Sequence, residues 1–151
     1  MPEVPLSTNA LAVLIAILLG ALVGAEREWR RHPGGLRSCA LVAAASAAFA
    51  RIAELHSAGA PGPALGAIAS GVGFIGAGAI LHSAANGNTV VRGLSTAATF
   101  WAVAAIGTAA GVLEYSMAIT LTVCVFFAHV ALRRVSAWIE RVAPPEDAGP
   151  R

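Results

Sequence analysis

Five long apolar segments separated by short polar loops dominate this chain, at about residues 10–25, 38–54, 64–81, 93–113 and 116–132. A hydrocarbon core about 30 Å thick takes about 20 apolar residues in a helix, and each segment spans or nearly spans it. Only 12% of the 151 residues are charged, and a soluble domain could not bury five such segments. Because backbone hydrogen bonds must close within each segment in lipid, we predict an all-α polytopic membrane protein, a bundle of about five transmembrane helices.

The arginines are distributed unevenly between the predicted loops. The first loop, the third loop and the tail together hold Arg27, Arg30, Arg31, Arg37, Arg92, Arg133, Arg134, Arg141 and Arg151. The opposite side holds Arg51 alone, which can pair with Glu54 three positions later. The excess of positive charge predicts that residues 1–9 are a short periplasmic N-terminus and that residues 136–151 are a cytoplasmic tail, disordered from Pro144.

Glycine spacing is a second prominent pattern. Gly71-Val-Gly73-Phe-Ile-Gly76 matches the dinucleotide-binding fingerprint, but no Asp or Glu lies between Glu54 and Glu114 to complete it. We therefore expect no nucleotide cofactor and interpret the glycines as sites of close helix packing, within the chain or across a homo-oligomer. The predicted packing positions are Gly20, Gly24, Gly71, Gly73, Gly76, Gly78, Gly107 and Gly111.

A candidate functional cluster lies at the predicted cytoplasmic side. Arg92, Ser95, Thr96 and Thr99 follow the spacing i, i+3, i+4, i+7, which predicts one polar stripe on the fourth helix. Glu26, Arg27, Arg37 and Asn88 belong to the same side, and we expect Glu26 to pair with an arginine. The alternative is a set of solvated loop charges, each of which contributes little to stability.

Several function classes lack support in the sequence. No Ser/His/Asp set, paired-carboxylate site or metal-ligand spacing is present, and Cys39 and Cys124 both lie in apolar segments. No run of basic residues interleaved with aromatics indicates nucleic-acid binding. We expect a protein that is not an enzyme, has no metal or cofactor, and has the lipid bilayer as its first partner.

Four blocks of residues, in order, carry a resemblance to a known family. They are Gly20-x-x-x-Gly24-x-Glu26-Arg27-Glu28, Gly35-Leu36-Arg37-Ser38-x-x-Leu41-Val42, the segment Gly71 to Ile80, and Val91-Arg92-Gly93-Leu94-Ser95-Thr96-Ala97-Ala98-Thr99-x-Trp101. The chain resembles the membrane domain of the MgtC/SapB family over about residues 10–135.

The resemblance implies a bacterial inner-membrane protein with its N-terminus out and its C-terminus in. Some family members are virulence factors for survival in macrophages and growth at low Mg²⁺, and the best-known ones look like regulators, one of which restrains the ATP synthase. Those members carry a cytoplasmic C-terminal domain, which we expect to be absent here, where the tail is about 19 residues long. Ser38 stands where Thr is common, Ser95 where a functional Asn can occur, and Ala102 where one virulence member has Cys.

Two functions remain open from the sequence. The first is a regulator that acts on another membrane complex, with the ATP synthase as a candidate partner, in Mg²⁺-limited growth or virulence-type adaptation. The second is a small transporter or channel with a polar path along Arg92–Thr99, where an arginine at the mouth would favour anions.

Overall fold

The computed structural model describes residues 5–56, 62–85 and 88–142. The first two helices form an antiparallel pair, α1 over Leu6–Trp29 and α2 over Leu36–His56. On α1 the buried residues recur every three or four positions, as Ala12, Ala16, Gly20, Val23, Gly24 and Arg27. This spacing gives α1 one continuous buried face against its neighbours, made mostly of alanine and glycine.

The third and fourth helices are α3, Gly62–Ala79, and α4, Leu94–Gly111, and a β-hairpin joins them. Strand β1 is Leu81–Ala85 and strand β2 is Asn88–Arg92, paired antiparallel with Leu81 opposite Arg92. The segment was predicted to be a polar loop, which is wrong for the two strands. Gly93 follows β2 with φ 97°, a conformation that glycine adopts without strain and that separates the strand from α4.

The last helical stretch is continuous, but its hydrogen-bonding pattern changes along its length. It begins as α5 over Tyr115–Phe127, continues as a π-helical segment over Ala128–Leu132, and ends as α6 over Arg133–Val142. Residues 136–142 of the predicted tail are therefore helical, whereas Pro144 and the positions after it lie outside the described residues.

Helix α4 is the centre of the bundle, with α1, α2, α3 and α5 packed around it. Small side chains fill the interior, among them Ala16, Ala43 and Ala47, all fully buried. Large apolar side chains point outward, as Leu11, Leu14, Leu18 and Leu22 do on α1. Small residues inside and leucines outside are typical of a bundle in lipid, where helix contacts depend on close backbone approach.

Five helices are long and apolar enough to cross a membrane: Leu6–Trp29, Leu36–His56, Gly62–Ala79, Leu94–Gly111 and Tyr115–Ile139. The predicted all-α fold with five membrane-spanning helices is thus confirmed. The helices differ from the predicted spans at their ends. Helix α1 includes residues 6–9, which were predicted as a separate N-terminus, and the third helix ends at Ala79, two residues before the predicted end at Leu81.

Candidate functional site: a buried polar network and a basic groove

Arg27 is a charged side chain in the core at the arginine-rich end of the bundle. It is 3% exposed although it lies in the last turn of α1. Its Nη1 donates to Thr99 Oγ1 at 3.0 Å, and its Nη2 donates to Thr96 Oγ1 at 2.7 Å and to the Pro33 carbonyl at 3.0 Å. One guanidinium therefore joins α1, the α1–α2 loop and α4, which its fixed fork of donors allows.

The α1–α2 loop is shaped to reach this guanidinium. Gly34 has φ 75°, and a Cβ there would lie 2.7 Å from Thr96 Cγ2, so the loop backbone lies directly on α4. The Glu28 carboxylate accepts a hydrogen bond from the Leu36 backbone N–H at 2.8 Å. This bond satisfies one of the free donors at the start of α2 and adds a negative charge where the helix dipole is positive.

Beside Arg27, Glu26 and His129 extend the network to the π-helical segment. Glu26 pairs with Arg30 one turn later, and its Oε2 lies 3.5 Å from His129 Nδ1. His129 Nε2 is 3.2 Å from Thr99 Oγ1, whose own proton goes to the Ser95 carbonyl at 2.7 Å. In this arrangement His129 Nε2 must donate to Thr99, since a hydroxyl has only one proton to give.

A groove of about 490 Å³ opens next to this network. It lies between the end of α1, the start of α4 and the stretch from α5 to α6, and we call it the basic groove. Its polar lining residues are Glu26, Arg27, Arg30, His32, Ser95, Thr99, His129, Arg133 and Ser136. Its apolar lining residues are Ala98, Ala102, Val125, Ala128 and Leu132.

The π-helical segment supplies three residues of the groove. Ala128, His129 and Leu132 belong to this segment and line the groove. A π turn inserts an extra residue and so changes the direction of the side chains that follow it, and such turns are frequent at functional sites.

The other end of the bundle has its own arginine. Arg51 on α2 is 6% exposed, donates from Nε to Asn9 Oδ1 at 2.9 Å and from Nη1 to Glu54 Oε2 at 2.7 Å. The pairing of Arg51 with Glu54 was predicted from their spacing, but the bond to α1 was not. Polar contacts thus hold α1 to its neighbours at both ends.

A sequence model of the MgtC family matches residues 13–138. The chain belongs to the MgtC family. Protein MgtC of Salmonella paratyphi A is 40% identical over 141 residues, 93% of this chain and 59% of the relative. Protein MgtC of Brucella abortus is 40% identical over 130 residues, 85% of this chain and 53% of the relative.

An uncharacterized protein of Synechocystis is 38% identical over 132 residues, 87% of this chain and 55% of the relative. The chain therefore spans little more than half the length of these relatives. No solved structure gives a significant match. Together with the five apolar helices, family membership identifies a multi-pass membrane protein.

The structure brings only part of the predicted polar cluster together. Glu26, Arg27, Thr96 and Thr99 meet in one network, and the arginine that pairs with Glu26 is Arg30. Ser95 is exposed at the groove. The network also contains His129, which was not among the residues of the predicted polar cluster.

Arg37 and Arg92 do not join the network. Both side chains are exposed and have no hydrogen-bond or ion-pair partner among the described residues. Arg92 ends β2 and does not lie on α4, so the predicted stripe along the fourth helix begins at Ser95. Asn88 lies in β2 with its backbone opposite Ala85.

The predicted packing glycines divide into two groups. A Cβ on Gly20 would lie 2.7 Å from Ala43 Cβ, and one on Gly24 would lie 2.7 Å from Leu36 Cα, so α1 and α2 are in close contact there. A Cβ on Gly107 or Gly111 would lie closer still to a backbone carbonyl oxygen of α2, that of Ala43 or Ala47, and Gly76 faces Ala97 of α4. By contrast, Gly71, Gly73 and Gly78 have open space around them within the described chain, so they do not serve helix packing inside one copy.

Proposed function

We propose that this MgtC-family chain is a bacterial inner-membrane regulator that binds another membrane complex through the outer side of α3. The ATP synthase is the candidate partner, and Mg²⁺-limited growth or virulence-type adaptation is the setting. In this proposal the arginine-rich end is cytoplasmic, in keeping with the positive-inside rule.

The observation that carries the proposal is a row of small residues on α3. Gly62, Gly66, Ser70, Gly73 and Ala77 recur every three or four positions, and all five are exposed. We call this row the α3 small-residue face. A Cβ on Gly62, Gly66 or Gly73 would meet no described atom within 4 Å, so nothing in the described chain covers the row.

Such a row suits a transmembrane helix of a partner. Lipid tails are as apolar as leucine, so association in the bilayer depends on backbone approach and van der Waals packing, which small residues permit. Glycines that pack inside this chain, such as Gly107 against α2, already make close contacts between helix backbones. The uncovered glycines of α3 are available for the same kind of contact with a helix of another protein.

The packing of α4 counts against the transporter alternative. The Thr99 hydroxyl is occupied by Arg27 and the Ser95 carbonyl. On the same face, the next turns of α4 are Val103, Ile106 and Ala110, all buried among apolar side chains. The polar stripe therefore ends at Thr99 and does not continue through the described bundle.

The test is affinity purification of the tagged protein from native membranes in mild detergent, with mass spectrometry of the recovered proteins. We expect ATP synthase subunits to be recovered with the unaltered chain. The double variant Gly66→Leu/Gly73→Leu should reduce that recovery about ten-fold, equivalent to about 1.4 kcal/mol, because leucines would hold the partner helix away.

The matched control is Gly78→Leu, which adds the same side chain to the same helix but off the row. Gly78 is exposed and also has open space for a Cβ. Equal recovery from both variants would refute the role of the α3 small-residue face. Recovery of nothing except further copies of this chain would refute the regulator proposal and make the row a homo-oligomer contact.

A further inference from the structure

The rim of the basic groove carries more positive than negative charge. Arg27, Arg30 and Arg133 line it, and Glu26 is the one carboxylate among its described lining residues. Glu26 is already paired with Arg30. The charges of Arg27 and Arg133 are therefore left without a carboxylate in the described part of the groove.

A second source of positive potential lies at the same rim. Arg27 is 3% exposed and already donates to Thr99, Thr96 and the Pro33 carbonyl, so it acts on the groove through its charge. Helix α4 begins at Leu94 with no side-chain cap among the described residues, and Ser95 in its first turn lines the groove. The positive end of the α4 dipole and the arginine charges together suit a phosphate group.

The floor of the groove has a different character. Ala98 and Ala102 on α4 line it together with Val125 and Leu132. Ala102 lies about two turns beyond the start of α4, and Val125 lies about two turns before Arg133, so the apolar lining reaches deeper into the bundle than the arginines. This order, charged rim and then apolar floor, matches the order of headgroup and acyl chain in a phospholipid.

We propose that the basic groove is a binding site for an anionic phospholipid, with its phosphate at the arginine rim and one acyl chain on the apolar floor. Free phosphate has the same headgroup chemistry, but it would leave the floor uncovered. Basic pockets between transmembrane helices are known to hold acidic lipid headgroups. The site is separate from the α3 small-residue face and does not depend on the regulator proposal.

The test is native mass spectrometry of the purified full chain, titrated with phosphatidylglycerol, phosphatidylcholine or inorganic phosphate. We expect one phosphatidylglycerol per chain to bind more tightly than phosphatidylcholine. Arg133→Gln should weaken phosphatidylglycerol binding about five-fold, as expected for the loss of one arginine at a headgroup. The control is Arg134→Gln, the neighbouring exposed arginine that does not line the groove, and it should leave binding unchanged.

A second variant separates the lipid from free phosphate. Ala98→Leu fills the floor without changing any charge, so it should weaken phosphatidylglycerol binding and leave the thermal unfolding midpoint in detergent unchanged. Equal binding of the two lipids, or equal effects of Arg133→Gln and Arg134→Gln, would overturn the proposal. Tight binding of inorganic phosphate that Ala98→Leu does not alter would overturn the lipid assignment.

Discussion

Arg27, at the end of α1, donates a 3.0 Å hydrogen bond to Thr99, on the second turn of α4, across 72 positions of sequence. Both side chains are almost completely buried, Arg27 at 3% and Thr99 at 2% exposure. A buried charge is tolerated when its hydrogen bonds are made, and its removal leaves the acceptors without a donor.

Arg27→Ala should lower the free energy of unfolding by about 3 kcal/mol, because three hydrogen bonds from a charged donor are lost in the core. Arg27→Lys should recover only part of that loss, since an ammonium cannot reproduce the planar fork. Thermal unfolding in detergent measures the stability of both variants. The control is the exposed Arg37→Ala, expected to change stability by less than about 0.5 kcal/mol, and an equal effect of the two alanine variants would contradict the structure.

Thr99→Val should show that Thr99 and Arg27 act together. The substitution keeps the shape of the side chain but removes the acceptor, and in a double-mutant cycle with Arg27→Ala we expect a coupling energy of about 1–2 kcal/mol. Thr120→Val is the control, because Thr120 is exposed and its hydroxyl bonds only the Ser116 carbonyl of its own helix. Additive effects of Arg27→Ala and Thr99→Val would argue against the bond.

Gly107→Ala should destabilise the bundle by about 1–3 kcal/mol, the usual effect of overpacking. The added Cβ would lie 2.8 Å from the Cα of Ala43, and backbone cannot rotate away as a side chain can. Gly78→Ala, where space is open, should be tolerated. The comparison requires unfolding curves of both variants in the same detergent, and indistinguishable curves would disprove the close approach of α4 and α2.

Membrane orientation can be tested with single cysteines in a background of Cys39→Ala and Cys124→Ala. The positive-inside rule predicts that Ser7→Cys is labelled by an impermeant maleimide in intact cells and that Arg37→Cys is labelled only after permeabilisation. Both positions are exposed. The reverse pattern would place the arginine-rich end outside.

Arg92→Ala should impair growth at low Mg²⁺ while membrane insertion is retained, because Arg92 pairs with Leu81 directly after α3, the helix proposed to bind the partner. Arg92 is exposed and has no side-chain partner among the described residues, so its loss removes a surface charge without disturbing the core. Arg134→Ala, another exposed arginine, is the control for a general effect of charge. Unchanged growth with Arg92→Ala would exclude a role for this residue.

Features that depend on local pattern were predictable from the sequence. The five spans follow from hydropathy, and the glycines at positions 20, 24, 107 and 111 have the spacing of closely packed helices. The pairing of Glu26 with Arg30 also has a local signal, because residues four apart share a helix face. The spacing of four therefore indicates Arg30 as the partner of Glu26.

Features that depend on tertiary contact were not predictable in the same way. His129 reaches Thr99 across 30 positions of sequence, and it lies in a π-helical segment that hydropathy and periodicity do not reveal. The β-hairpin was missed although Thr89, Val90 and Val91 favour strands and Asn-Gly is a hairpin signal. Arg92 was assigned to α4 because periodicity alone does not reveal the change of backbone direction at Gly93.

Two arginines that are buried in the described chain join the helices unequally. Arg27 joins α1 to α4, and Arg51 joins α1 to α2. The stretch that begins as α5 is joined at its far end, where His129 contacts Thr99 and Glu26, whereas α3 is mostly exposed and makes no comparable side-chain contact through the described residues. Amide protons of α1, α2 and α4 should therefore exchange with solvent deuterium slowly and together. Those of α3 should exchange sooner, because an outer helix can separate from the other helices without opening them.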